Sequence, residues 1–196
     1  MEQSLVLVKP DGVARGQVGE IISRFERVGL KIVAMKMVLP ERSQVDRHYA
    51  LTEEWMMGVF TKAKAKFDAK GEKFGFTDHK AYGKYIKDGL VDFLLSGPVV
   101  AMVLEGPECV TLVRKLVGAT EPMGSAPGTI RGDLSPDTYA MSNAQNRPLR
   151  NLIHASGTVE EGKSEVAIWF TKKEMYQYET VLENVLYGAD AFKPKK

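Results

Sequence analysis

Apolar positions along this chain follow two periods, and the switches between them mark the elements. Residues 4–9 (Ser-Leu-Val-Leu-Val-Lys) are a nearly unbroken apolar run, the pattern of a strand buried on both faces. After glycines at 12, 16 and 19, Ile21, Ile22, Phe25 and Val28 recur at helical spacing until Gly29 stops the helix. Residues 31–39 alternate Ile32, Ala34 and Lys36 against Val33, Met35 and Met37, a second strand ending at Pro40. Ser43 is placed to cap a short helix carrying Val45 and Tyr49. Residues 90–95 read as helix up to Ser96-Gly97, and residues 98–104 as a third buried strand. Val110, Leu112, Val113, Leu116 and Val117 give a further helical face stopped by Gly118. Residues 151–154 form a short fourth strand, and residues 159–170 and 174–186 read as helices, the latter amphipathic.

This order predicts an α+β fold of the ferredoxin-like, split β-α-β plan: a four-stranded antiparallel sheet covered by helices, in one domain over 1–196. Two stretches depart from the alternation. Residues 51–88 contain helical pieces in a Gly- and Lys-rich excursion, and residues 120–149 are rich in Gly, Pro, Ser and Asn with little periodicity. A loop of that length in a compact domain is functional or poorly ordered.

Composition narrows the class. A net charge of +2 is too small for a nucleic-acid footprint, and no apolar run approaches the ~20 residues that span a bilayer. The chain passes from Met-Glu-Gln directly into strand pattern, without the pattern of a signal peptide. The single cysteine, Cys109, excludes an intramolecular disulfide and reads as core or helix start. A reducing, cytoplasmic setting is expected. The basic tail at 193–196 is expected to be a frayed, solvated end.

Chemistry concentrates in three places. Arg150-Asn151-Leu152-Ile153-His154-Ala155-Ser156 sets one histidine at the end of an apolar run. With an ordinary pKa of about 6.5, imidazole is largely neutral at pH 7 and nucleophilic without a partner base. A lone His after Leu-Ile is, taken alone, more often a strand-end residue. In Lys9-Pro10-Asp11-Gly12-Val13, proline keeps Lys9 extended at a strand end and Asp-Gly turns the chain back, which fixes an ammonium where it could meet a phosphate; an ordinary solvated turn is the equal alternative. Pro127 to Asp133 places Arg131 between the glycines at 128 and 132 in a loop, its planar fork suited to phosphate oxygens. The Arg-Gly-Asp triplet there would need an extracellular setting to serve adhesion. Arg114 and Thr120 flank Gly118, close enough to serve one ligand. There is no Gly-x-x-x-x-Gly-Lys-Ser/Thr cradle and no cluster with metal-ligand spacing. His48 and His79 read as structural or solvated.

Lys-Pro-Asp-Gly-Val, Arg-Phe-Glu, Ser-Gly-Pro-Val-Val-Ala-Met-Val, Pro-Gly-Thr-Ile-Arg-Gly-Asp and Asn-Leu-Ile-His-Ala-Ser occur in that order. Together they resemble nucleoside diphosphate kinase over nearly the whole chain outside two insertions, at roughly 55–85 and 135–148. The resemblance implies that His154 accepts the γ-phosphoryl of a nucleoside triphosphate and passes it to a nucleoside diphosphate, in a ping-pong cycle. The implied catalytic set is His154, Lys9, Glu165 and Ser156: Glu165 would hold the unreactive ring nitrogen of His154, and Ser156 would support Glu165. Lys9, Tyr49, Arg114, Thr120 and Arg131 would hold phosphates. Asn151 and Lys9 would contact the sugar hydroxyl near the leaving oxygen, and Leu90 would line the base pocket. Mg2+ would arrive on the nucleotide phosphates, with no protein ligands. Nucleoside tri- and diphosphates are the implied partners, in a homo-oligomer, a hexamer before a tetramer, with neither membrane nor nucleic acid.

The chain departs from that family at three points. Gly157 stands where an aspartate would steady a magnesium-bound water, Leu149 stands where a glycine is common, and no phenylalanine can be assigned to stack on the base, Tyr85 and Ile86 being nearest. A non-catalytic module of the same fold, binding nucleotide or single-stranded nucleic acid, is the rival reading. Its usual sheet aromatics are missing from these aliphatic strands.

Overall fold

The structure, a computed structural model, describes residues 1–69 and 71–188, so the basic tail at 193–196 lies outside the described residues. Strands β1 (Glu2–Val8), β2 (Lys31–Val38), β3 (Val99–Gly106) and β4 (Ile153–Ala155) form one sheet in the order β2-β3-β1-β4. Each neighbouring pair is antiparallel. Because β1 and β2 both oppose β3, they run parallel to each other, and β3 and β4 do the same across β1. Two interleaved β-α-β units follow, which is the plan the alternation predicts. The helices are α1 (Pro10–Ala14), α2 (Val18–Glu26), α3 (Arg42–His48), α4 (Glu53–Ala69), α5 (His79–Leu95), α6 (Cys109–Val117), α7 (Ile130–Leu134), α8 (Tyr139–Ala144), α9 (Val159–Trp169) and α10 (Val181–Tyr187).

The unbroken apolar runs have a direct cause: helices cover both faces of the sheet. Val6, Val8, Val100, Met102 and Leu104 pack on Ile21 and Phe25 of α2 and on Val113 and Val117 of α6. Leu5, Leu7, Ala101 and Val103 point the other way, onto Val45 of α3, Val91 and Leu94 of α5 and Trp169 of α9. Every residue of β3 is buried. At roughly 1.5–3 kcal/mol for each fully buried aliphatic side chain, these two central strands anchor the fold. Cys109 opens α6 and is buried, and that burial pushes its thiol up to about 12.

Local boundaries differ from the pattern in four places. Glu41, not Ser43, precedes α3, so Ser43 lies inside the helix. The fourth strand begins at Ile153, two residues late, because Asn151 and Leu152 make a turn with Leu152 at φ 68°. Residues 120–149 contain a 3-10 turn at Pro122–Gly124 and the helices α7 and α8, whose starts are capped by the Thr129 and Thr138 hydroxyls. Helices of one or two turns are too short to leave a periodic trace. Residues 174–186 are not one helix. Tyr176 N–H donates to Val33 O at 2.8 Å and Tyr178 O–H to Ile32 O at 2.8 Å, so the segment lies extended along β2 before Thr180 and Glu183 cap α10 reciprocally. Hydrogen bonds to an open strand edge outweigh weak helical propensity.

The first excursion is a helical hairpin of α4 and α5, closed over its own aromatic cluster of Phe60, Phe74, Phe76 and Tyr82. The helix expected at 90–95 is the last part of α5, which Asp78 caps through Ala81 N–H at 2.9 Å.

Candidate active site

The site is built where β1 and β4 end side by side. His154 pairs with Leu7, so its side chain leaves the sheet on the face where Leu7 meets α3 and α9. The turn before it is strained. Leu152 is fully buried in the left-handed region, a conformation that costs roughly 1–2 kcal/mol for a residue with a Cβ. Three contacts hold it there: Lys9 N–H donates to Leu152 O at 2.8 Å, Leu152 N–H to Asp11 Oδ2 at 3.0 Å, and Ile153 N–H to Asn151 O at 2.8 Å.

Around this turn the cations are fixed from below. Lys9 Nζ donates to Asn151 Oδ1 at 2.8 Å, and Asn151 Nδ2 donates to Thr120 O at 2.9 Å. Lys9 is buried, and desolvation, helped by the Arg131 charge, lowers its pKa to about 7. Arg131, also buried, donates to the carbonyls of Asn151, Gly118, Ala119 and Ile153 at 2.7–3.3 Å. Four of its five N–H groups are thereby committed to shaping the pocket floor. Burial, then the Arg114 charge, lowers its pKa to about 10.

The nucleophile candidate has one nitrogen engaged. His154 Nε2 and Glu165 Oε1 are 2.8 Å apart, and Ser156 O–H donates to Glu165 Oε2 at 2.6 Å. Ser156 is itself held by Leu5 N–H, which donates to its Oγ at 3.0 Å. A carboxylate facing Nε2 fixes the proton there and leaves the Nδ1 lone pair free.

The structure thus brings Lys9, Tyr49, Arg131, Asn151, His154, Ser156 and Glu165 into one neighbourhood. Arg114 is exposed at the end of α6, near enough for its charge to act on Arg131, and Thr120 is exposed in the adjoining loop. Leu90 is half-buried on α5, one residue past Gly89, whose backbone approaches the Pro148 ring. Tyr49 packs edge-on against His48, and burial raises its phenol pKa.

Of the two readings open for His48, structural or solvated, the structure bears out the first. The residue is neither solvated nor remote: its ring stands edge-on to His154 with centroids 4.4 Å apart, and Trp169 Nε1–H donates to its Nδ1 at 3.3 Å. Burial holds its pKa well below the usual imidazole value, so the ring is neutral. The signal was present, since Val45 and His48 lie three apart on one face of α3 and Val45 is core. Trp169 left no comparable trace, for its partner lies far away in sequence. His79 sits on the hairpin and faces Glu53.

A family model described as Nucleoside diphosphate kinase matches residues 2–68 and 71–175. The chain belongs to that family. It is 44% identical over 181 residues to the nucleoside diphosphate kinase of Pyrobaculum aerophilum, covering 90% of this chain and 99% of that one. The crystal structure of an NDP kinase from the same organism superposes with a TM-score of 0.86 at 42% identity, covering 90% of this chain and 99% of that one. A transition state mimic of the Borrelia burgdorferi enzyme with bound vanadate and ADP gives 0.79 at 36% identity, covering 95% and 97%. Nucleoside diphosphate kinase is a phosphotransferase acting on nucleotides, so the non-catalytic binding module is set aside. Kinases of this family need a divalent cation. No helix among the described residues is long and apolar enough to cross a membrane.

One departure from the family pattern is filled in three dimensions. A Cβ built on Gly157 would lie 2.7 Å from Glu161 Oε2, and Gly157 N–H donates to that same oxygen at 2.7 Å. A carboxylate from the first turn of α9 occupies the space that a side chain at 157 would enter.

Proposed function

We propose that His154 Nδ1 carries the phosphoryl group between nucleotides. The observation that carries this reading is the 2.8 Å contact of the opposite ring nitrogen with Glu165. The Nδ1 lone pair attacks the γ-phosphorus, the bond from phosphorus to the β,γ-bridging oxygen breaks, and the nucleoside diphosphate departs with that electron pair. A terminal oxygen of a second nucleoside diphosphate then attacks the same phosphorus and returns His154 to its neutral state. The ring gains charge while phosphorylated, and Glu165, held by Ser156, offsets it.

Lys9, Tyr49, Arg114, Thr120 and Arg131 hold the phosphates in this reading, the last with its single uncommitted N–H and its charge. Asn151 and Lys9 serve the sugar hydroxyl, and Leu90 the base. The donors around His154 are cations, hydroxyls and amides, which suit phosphate oxygens, so a magnesium ion fits when it comes on the nucleotide. Mg2+ bound there supplies charge neutralisation. Glu161, whose carboxylate fills the space beside Gly157, would take the part of the aspartate missing there.

We also read residues 55–85 and 135–148 as insertions in a single domain of 1–196, joined to each other beside the base pocket. Tyr85 O–H donates to Asn146 Oδ1 at 3.0 Å, and Lys66 Nζ lies 3.8 Å from the Tyr139 ring centroid. A cytoplasmic homo-oligomer, hexamer before tetramer, is the form proposed for the enzyme. The decisive test incubates purified protein with ATP and Mg2+ and reads intact mass. A gain of one phosphoryl group that is lost in acid, discharged by GDP to GTP and missing in His154→Ala, is expected. Unlabelled wild type under the same conditions would overturn the histidine relay.

A further inference from the structure

His154 and Glu165, used by phosphoryl transfer, stand beside a third metal-ligating side chain, His48, that it does not use. Glu165 Oε1 is 2.8 Å from His154 Nε2 and 3.7 Å from His48 Nδ1. One donor atom from each of these side chains lies within 4.8 Å of the other two. Donors around a tetrahedral ion with metal–nitrogen bonds of about 2.0 Å stand roughly 3.3 Å apart, between the two measured separations. His48 is fully buried and weakly held: its Nδ1 accepts one hydrogen bond, from the Trp169 N–H at a long 3.3 Å, which an ion would displace, and its Nε2 has no partner among the described residues. His154 is the most exposed of the three and gives access from the cleft.

We propose that His48, His154 and Glu165 form a binding site for a borderline divalent cation of the zinc class, distinct from the cation that travels on the nucleotide. Two imidazoles and a carboxylate, with a fourth position left to water, suit such an ion. Mg2+ instead demands an octahedron of oxygens. Binding takes the Nε2 lone pair of His154: the Nε2 proton is given up to solvent and one is taken up at Nδ1, so the ring stays neutral, and the bond to the metal replaces the hydrogen bond to Glu165. While the ion is bound, Nδ1 carries the ring proton and has no lone pair with which to attack phosphorus, so transfer slows. This inhibitory consequence rests on the role proposed for His154; occupancy of the site does not.

The test titrates Co2+, a spectroscopic stand-in for Zn2+, into the nucleotide-free protein and reads visible absorption. An intense four-coordinate band saturating at one ion per chain is expected, bleached by added Zn2+ and lost in His48→Gln and His154→Ala. His154→Ala carries the test if the buried His48 variant fails to fold. Absence of the band in wild type, or its persistence in His154→Ala, would overturn the site. In a parallel arm, Zn2+ should slow phosphoenzyme formation and a chelator should restore it. A wild type that labels with ATP and Mg2+ at an undiminished rate while its zinc site is full would overturn the inhibition and leave the histidine relay standing.

Discussion

Lys9 is buried where its charge is most needed, and that conflict should be visible in solution. Without nucleotide its pKa lies near 7 because desolvation disfavours the ammonium. Phosphate oxygens arriving beside it favour the charged form, so the pKa rises on binding. Above pH 7, therefore, nucleotide binding takes up a proton, and affinity falls with increasing pH by up to about tenfold per unit until the bound-state pKa is reached. Calorimetry of ADP binding one unit above neutrality, in buffers of different protonation enthalpy, should show this uptake, and Lys9→Met should lose it. The same group makes stability rise with pH between its folded value and the ordinary 10.5, because the unfolded chain holds the proton over that window. At this scale the legible residues were those whose chemistry sits in a local motif: Lys9 before its proline, Arg131 in its loop, His154 after its apolar run. Glu165 was not legible from its neighbours, since Glu160, Glu161 and Lys163 surround it with equally charged residues on α9. Only the packing of α9 against β1 brings it to His154, and nothing local in the sequence records that.

Among the elements, the two central strands could be read directly because burial on both faces leaves no polar positions to confuse the period. The second insertion could not, because it is held by a polar knot instead of an apolar face. Arg147 grips Asp137 with both terminal nitrogens at 2.7 and 2.8 Å, Arg150 N–H donates to Asp137 Oδ2 at 2.7 Å, and Ser135 O–H donates to Arg150 O at 2.8 Å. Asp137 is buried, and its bond to Arg147 holds the carboxyl below the usual carboxylate range. Asp137→Ala would strand a guanidinium and a backbone N–H at the neck of the insertion, so a loss of about 2 kcal/mol is expected, or ~4–8 °C in Tm for a chain of this size. The sign with pH follows from the depressed pKa. The stabilisation is present above the ordinary carboxylate value and lost as pH falls through the folded one, so thermal melts of wild type and variant should converge in acid.

For the molecule as a whole, the open question is what covers β2. It is an edge strand, and its first half is already occupied: Tyr176 N–H and Tyr178 O–H bond to Val33 and Ile32, and Lys31 pairs with Glu183 of α10. Past the register shift near Ile32 and Ala34, no described segment continues those contacts. Met35, Met37 and Leu39 alternate outward at 53%, 60% and 69% exposure, a row of large apolar side chains along the edge of the sheet. Isolated surface methionines need no explanation, but three in register on an open edge form a surface that proteins bury or blunt with charge. Lys36 does not blunt it, because its ammonium turns to the opposite face, onto Glu174 and the Phe170 ring. A second copy of the chain presenting the same edge would cover the row by two-fold symmetry, which is how the proposed homo-oligomer would begin. Met37→Glu puts a carboxylate in the middle of that row and opposite its own copy, at no cost to either core of the monomer. Sedimentation should find wild type as an assembly and the variant as a smaller species with unchanged far-UV circular dichroism. An unchanged sedimentation coefficient would place the subunit contacts elsewhere.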